Sequence, residues 1–228
     1  MDVVILSGGL GTRIAQVFDG PKGLAMVQGR PVVAHVIDWC LRANPERVVV
    51  AAGYRGPELK AAVAALYGTR VEVAIEDRPL GTAGCLYPMF PYLSDPFAVV
   101  NGDTLVAGDF AGLWAYHRGI GAQVTVGVFR SRREDVAQLH IASVPGIVSG
   151  IGRPQGGQDI WANAGVYAIS HNVLKRAAVS LEHDVLPHVA KARRLHAYPM
   201  QKVYDIGTPD RLKGVDQHWP VELTNQVR

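Results

Sequence analysis

Hydrophobic and polar positions along this chain fall into two regimes. In the first, short apolar runs alternate with amphipathic stretches. Val3-Val4-Ile5-Leu6 is apolar at every position, the pattern of a strand buried on both faces in a parallel sheet. Pro31 to Leu41 places Val33, Val36, Ile37, Cys40 and Leu41 at helical spacing, with Pro31 suited to the first turn. Arg47 to Ala52 reads as a second strand and Pro57 to Tyr67 as an alanine-rich helix. Val71 to Ile75 and Pro96 to Val100 read as a third and a fourth strand. This β-α-β-α-β order predicts an α/β fold with a doubly wound, mixed but mostly parallel, Rossmann-like sheet. Ligands in such sheets sit at the carboxyl ends of the strands, so the loop after Leu6, Glu76 and Asp103 are expected along one edge.

The second regime is different. Gln123 to Phe129 alternates like a strand, and Leu139 to Ile151 reads as a hairpin turning at Pro145-Gly146. Asn163 to Ile169 is another strand, helical stretches surround Leu186 and Arg211, and residues from Pro220 form a loose or docking tail. No repeat, low-complexity tract or linker separates the regimes, so residues 1–228 are expected to form a single domain.

Composition narrows the classes. Of 228 residues, 48% are hydrophobic and 19% charged, a globular balance. The net charge of +3 comes from scattered Lys and Arg rather than a basic stripe, which argues against a nucleic-acid partner. No apolar run approaches the roughly 20 residues of a membrane span, and Met1 to Leu6 is one strand's worth of apolar sequence rather than a signal peptide. The two cysteines, Cys40 and Cys85, lack CxxC spacing, which predicts free buried thiols in a reducing compartment, the cytoplasm.

The candidate chemistry begins at Ser7-Gly8-Gly9-Leu10-Gly11-Thr12-Arg13, followed by Pro21-Lys22. Glycines cost backbone entropy, a cost offset where bare backbone must approach an anion. A Walker A loop requires Lys then Ser or Thr after its last glycine, and Thr12-Arg13 fails that. A dinucleotide fingerprint would place its third glycine at Ile14 and an acidic residue near Gly29-Arg30-Pro31, and has neither. A plain turn leaves Arg13 and Lys22 unexplained. A loop whose amides wrap a triphosphate, with those two cations as counter-charges, accounts for both.

Gly8 to Arg13 followed by Pro21-Lys22 closely resembles the signature of the sugar-1-phosphate nucleotidyltransferases, which join a nucleoside triphosphate to a sugar 1-phosphate and release pyrophosphate. The resemblance runs along nearly the whole chain. Pro79-Leu80-Gly81-Thr82-Ala83-Gly84 resembles the family's base-recognition turn, and Val100-Asn101-Gly102-Asp103 its metal-binding strand end. Asn163-Ala164-Gly165-Val166-Tyr167 resembles its sugar-pocket strand, and Tyr204-Asp205-Ile206-Gly207-Thr208-Pro209 the segment bearing a second metal carboxylate. Three positions depart from the pattern. The spacing from Arg13 to Lys22 is about one residue short, Gly23 stands where proline is usual, and Gly152-Arg153-Pro154 replaces a Glu-Lys-Pro motif.

The resemblance implies a nucleotide-binding half over about residues 1–118, a sugar-binding half over about 119–228, and no C-terminal β-helix. It places the nucleotide at Leu6, Ser7, Gly8, Gly9, Gly11, Thr12, Arg13, Glu76, Pro79, Gly81, Thr82, Asn101 and Gly102. It places the sugar phosphate at Lys22, Arg153, Asn163, Gly165 and Glu182, and Mg²⁺ at Asp103 and Asp205. Read locally, the two aspartates are turn and helix-cap residues; read with the family, they are metal ligands. Arg13, Lys22 and Asp103 would be catalytic. The nucleophile is an ionised phosphate oxygen, so no general base is needed. His117, His140 and His183 read as surface or packing residues.

Glu76 stands where the family's base-reading side chain lies. A carboxylate accepts two hydrogen bonds from guanine N1–H and N2–H and is mismatched to the other bases, which predicts GTP. If Glu76 instead faces solvent, backbone groups read the base. The chain's length, Leu80-Gly81-Thr82-Ala83-Gly84 and Leu181-Glu182-His183-Asp184-Val185-Leu186-Pro187 most resemble the bacterial D-glycero-α-D-manno-heptose 1-phosphate guanylyltransferases, which serve capsule or surface-layer glycans. A mannose-1-phosphate guanylyltransferase, a short UTP-using enzyme and a catalytically silent nucleotide-sugar sensor are the alternatives. The expected partners are GTP and a sugar 1-phosphate, with no nucleic acid or membrane and room for a homo-oligomer.

Overall fold

A computed structural model describes residues 1–154 and 158–220. In chain order the strands are β1 (Asp2–Ser7), β2 (Met26–Val27), β3 (Arg30–Pro31), β4 (Arg47–Ala52), β5 (Glu72–Ile75), β6 (Phe97–Asn101) and β7 (Thr104–Ala107). They continue as β8 (Val124–Ser131), β9 (Gln138–Ile141), β10 (Gly146–Gly152), β11 (Ile160–Ile169), β12 (Leu195–Pro199) and β13 (Lys202–Asp205). The helices are α1 (Val32–Leu41), α2 (Gly56–Tyr67), α3 (Gly81–Gly84), α4 (Phe110–Ile120), α5 (Leu186–Lys191) and α6 (Pro209–His218). The tail expected from Pro220 falls, beyond that residue, outside the described residues. The chain divides into two compact units: Met1–Leu80, Val100–Ala107 and Val203 onward in one, Gly81–Val99 and Gly108–Lys202 in the other.

In the first unit β5, β4 and β1 run parallel, with Val3 opposite Val48 and Val49 opposite Glu72. Val3, Val4, Ile5 and Val50 are fully buried, as strands covered on both faces must be. The chain leaving β6 returns to β1 through Gly102 N–H, which donates to the Leu6 carbonyl at 2.8 Å. Helix α1 is buried from Val32 to Cys40, and α2 turns Leu59 and Val63 inward one turn apart. Left-handed Arg55 (φ 51°) starts α2, and Gly68 (φ 59°) closes it. Helix α6 is capped by Thr208, whose hydroxyl accepts the Arg211 N–H, with Pro209 in its first turn. It is tied to the start of the unit by Gln28 N–H donating to Asp216 at 2.5 Å. Buried Trp219 stands edge-on to His35 and Tyr204.

In the second unit the strand order is β11-β8-β12-β10-β9, and β9 also pairs with β11, so the order closes on itself. β8 and β12 are parallel, whereas β9–β10, β10–β12, β8–β11 and β9–β11 are antiparallel. The expected hairpin is β9–β10. The register between β11 and β8 slips between Asn163 and Tyr167, where Gly165 takes a φ of 70°. Helix α4 is capped by Asp109, whose side chain accepts the Gly112 N–H, and ended by left-handed Gly121. Cys40 and Cys85 are buried free thiols. Among the described residues no helix is long and apolar enough to cross a membrane.

Candidate active site

The glycine loop leaves β1 at Ser7, and its glycines meet different demands. A Cβ on Gly8 would stand 2.5 Å from Glu76 Oε1, and the same oxygen would meet a Cβ on Gly53 at 2.5 Å. A Cβ on Gly102 would fall 2.8 Å from the Leu6 carbonyl and also collide with the Ser7 hydroxyl. A Cβ on Gly53 would also fall 2.6 Å from the Gly8 carbonyl, so Gly53 and Gly102 are fixed by the backbone of neighbouring strand ends, whereas Gly8 is crowded by the far end of the Glu76 side chain. Gly9 faces open space, and Gly11, at φ 64°, turns the chain so that Ile14 N–H donates to its carbonyl at 3.0 Å. The exposed part of the loop is Gly9 and Leu10.

Two charged pairs stand at the neighbouring strand ends. Lys22 Nζ lies 2.6 Å from Asp103 Oδ2; the lysine side chain is 14% exposed and the aspartate 40%, so the cation is sheltered while the carboxylate stays open to water. The Thr104 hydroxyl donates to Asp103 Oδ1 at 3.1 Å. Arg211 Nη1 reaches both oxygens of Asp205 at 3.3 and 3.2 Å, and Gly207 N–H donates to Asp205 Oδ1 at 2.7 Å. Ile206 N–H donates to the Asp103 carbonyl at 3.3 Å, which makes the two aspartates backbone neighbours. Arg13 joins them: a Cβ on Gly207 would lie 2.7 Å from Asp205 Oδ1 and 3.3 Å from Arg13 Nη2. Ser7 Oγ and Asn101 Oδ1, at the ends of β1 and β6, are buried without a hydrogen-bond partner. Such atoms in a native fold call for a ligand or an ordered water.

Glu76 follows β5, where its N–H donates to the Ala52 carbonyl at 2.8 Å. Its Oε2 accepts the Leu80 N–H at 3.1 Å, and so holds the turn 76–80. Pro79 and Thr12 are exposed, Leu6 is half-buried, and Gly81 (φ 79°) opens the second unit at α3.

The second unit builds its own polar cluster around Glu182. Tyr167, fully buried, donates its hydroxyl to Glu182 Oε1 at 3.0 Å and accepts from Asn163 Nδ2 at 2.6 Å. Asn163 Oδ1 in turn accepts the Gly165 N–H at 2.8 Å, which holds the bulge in β11. Glu182 Oε2 accepts from Thr82 Oγ1 at 3.0 Å and Ser180 Oγ at 3.2 Å. Asn163, Gly165 and Glu182 are thus brought together, and Thr82 belongs with them. Arg153 is exposed just past β10 and makes no ion pair among the described residues.

Arg211 and Ser180 join these clusters without having been singled out in the sequence, and Tyr167 lay within the sugar-pocket motif without a role of its own. Arg211 did carry a signal: a cation in the first turn of a helix opposes the macrodipole and calls for a nearby carboxylate, here Asp205. Tyr167 reads as an ordinary strand residue, because the bulge that turns Asn163 toward it is invisible in the pattern. His117 is a packing residue: it is buried, its Nδ1 lies 3.0 Å from Thr125 Oγ1, and burial with His196 nearby pushes its pKa down to about 4. His140 and His183 are exposed.

A parallel sheet whose strand ends carry an open glycine loop and paired cations and carboxylates defines a nucleotide-handling α/β protein. More narrowly, the chain belongs to the MobA-like NTP transferase domain family, whose family model matches residues 3–203. It is similar to the mannose-1-phosphate guanyltransferase of Schizosaccharomyces pombe, 29% identical over 232 residues that cover 94% of this chain and 63% of that protein. The mannose-1-phosphate guanylyltransferase catalytic subunit beta of Drosophila melanogaster is 29% identical over 93% of this chain and 61% of its own length. The chain thus spans about three fifths of the curated relatives it matches. Its fold is that of HddC from Yersinia pseudotuberculosis (TM-score 0.80, 23% identity, 96% of this chain and 99% of that one), a protein also solved in complex with GMP-PN. It is also that of the inositol-1-phosphate CTP transferase from T. maritima (TM-score 0.77, 18% identity, 100% and 97%).

Proposed function

We propose that this chain is a sugar-1-phosphate guanylyltransferase: the sugar phosphate oxygen attacks the α-phosphorus of GTP, a GDP-sugar forms, and pyrophosphate leaves. The observation that carries the reading is the cluster of Arg13, Lys22, Asp103, Asp205 and Arg211 beside an open glycine loop. Two polyanions must meet, and fixed cations lower that barrier more than any proton transfer would. Arg13 holds the departing β- and γ-phosphates with its planar fork. Lys22 neutralises charge at the α-phosphate and the incoming sugar phosphate. Gly9 to Gly11 present bare backbone to the triphosphate.

The donor set fits Mg²⁺. Asp103 and Asp205 are hard oxygen donors on adjoining backbone, and Mg²⁺ takes one or two carboxylates with substrate phosphates and water completing its shell. When bound, the ion would supply charge neutralisation and alignment for in-line attack.

Glu76 is the proposed base reader and favours guanine, and Glu182 with Asn163 forms the sugar pocket. The relatives named for mannose 1-phosphate support a manno-configured sugar. Within that class the motif resemblance favours D-glycero-α-D-manno-heptose 1-phosphate, for a capsule or surface polysaccharide made from the cytoplasm; D-mannose 1-phosphate is the second reading. The test is a matrix of nucleoside triphosphates against sugar 1-phosphates with Mg²⁺, scored for pyrophosphate and nucleotide sugar. Turnover should be highest with GTP and one manno-configured sugar. Binding of nucleotide sugar without turnover of any pair would make the protein a silent sensor instead.

A further inference from the structure

We infer that a cavity of about 300 Å³ in the second unit is a binding site for a small phosphorylated polyol, separate from the Glu182 cluster and beyond the function proposed above. Lys175, His188 and Arg194 line it, and none of these side chains has a carboxylate partner among the described residues. Lys175 and Arg194 are exposed cations beside the concavity, and cations so placed raise the local concentration of anions and favour the one that fits. The floor is apolar, built by Val185 and Val189, which are 3% and 5% exposed. Such a floor suits the carbon face of a ring better than a bare inorganic ion.

The remaining charged wall is Asp184. Its Oδ2 accepts the Val179 and Ser180 N–H groups at 2.8 Å each, and these bonds hold its carboxyl below the usual carboxylate range. An ionised carboxylate in the same cavity disfavours a simple anion but accepts hydrogen bonds from hydroxyls. Phosphate for the cations, hydroxyls for Asp184 and a carbon skeleton for the valines together describe a sugar phosphate. The segment is also shared with the first cluster: Ser180, whose N–H rests on Asp184, donates its hydroxyl to Glu182. Leu181–Val185 forms a single π-helical turn, a geometry often found at functional sites.

The test is an NMR titration of the ¹⁵N-labelled full chain at fixed ionic strength, with inorganic phosphate in one arm and glucose 6-phosphate in the other. Saturable shifts at amides of 173–178 and 184–194 are expected with glucose 6-phosphate, at an apparent affinity about tenfold or more above that for inorganic phosphate. The double variant Lys175→Ala/Arg194→Ala should weaken that binding by about tenfold or more, with its thermal unfolding unchanged. Equal affinity for the two probes would reduce the cavity to a generic anion patch and overturn the proposal. Shifts confined to the glycine loop, no saturation, or a double variant that binds as well as the parent would overturn it too. None of these readouts depends on turnover, so failure here and failure of the guanylyltransferase reading are separable.

Discussion

Replacing Tyr167 with Phe isolates one hydroxyl. The ring is fully buried and Phe keeps its volume, so no cavity opens. What is lost is the bond to Glu182 Oε1 at 3.0 Å and the bond from Asn163 Nδ2 at 2.6 Å. A hydrogen bond to a charged group is worth about 1.5–3 kcal/mol and a neutral one about 1 kcal/mol. Glu182 and Asn163 are only half-buried, so water recovers part of this, and a net loss of about 2 kcal/mol is expected. In a chain of this size each kcal/mol lowers Tm by about 2–4 °C, so calorimetry should show a fall of about 4–8 °C. With Asn163 and Glu182 no longer linked through this hydroxyl, KM for the sugar 1-phosphate should rise by about tenfold while KM for GTP changes little. A double-mutant cycle with Glu182→Gln should give a coupling of about 1 kcal/mol or more. A Tm within about 1 °C of the parent, with unchanged KM, would refute the claim that this hydroxyl organises the pocket.

Four further outcomes are open to measurement. Gly102→Ala forces a Cβ against the Leu6 carbonyl and the Ser7 hydroxyl, and should cost about 1–3 kcal/mol in urea unfolding; a neutral effect would show that the strand ends can part freely. Lys22→Ala should lower kcat by about 10²–10³-fold, whereas a change in KM alone would make Lys22 a binding residue. Glu76→Gln should reduce the preference for GTP over UTP in competition assays; an unchanged ratio would assign base reading to the backbone. His117, held at about 4 against an ordinary 6.5, stays neutral in the fold while the unfolded chain takes up a proton as pH falls through 6.5. Stability is therefore lost as pH drops from 6.5 towards 4 and is unaffected above it. His117→Asn should shrink the stability difference between pH 7 and pH 4.5 by about 2 kcal/mol in denaturant titrations, and an undiminished difference would shift the acid sensitivity elsewhere.

What the sequence determined by itself is local. Unbroken apolar runs at Val3–Leu6 and Val48–Ala52 suit strands buried on both faces, and the cations after the glycine loop had no packing role to explain them. Burial pattern and backbone freedom are properties of neighbouring residues, so these features were legible. Only the tertiary structure decided the pairings. Lys22 meets Asp103 across 81 positions and Thr82 meets Glu182 across 100, while Arg211 returns from α6 to hold Asp205. It also showed that Gly53 and Gly102 are glycine because the Gly8 and Leu6 carbonyls crowd them. Such contacts depend on which strand lies beside which and in what register. That choice is made by the summed burial of whole elements, and no short window of residues encodes it.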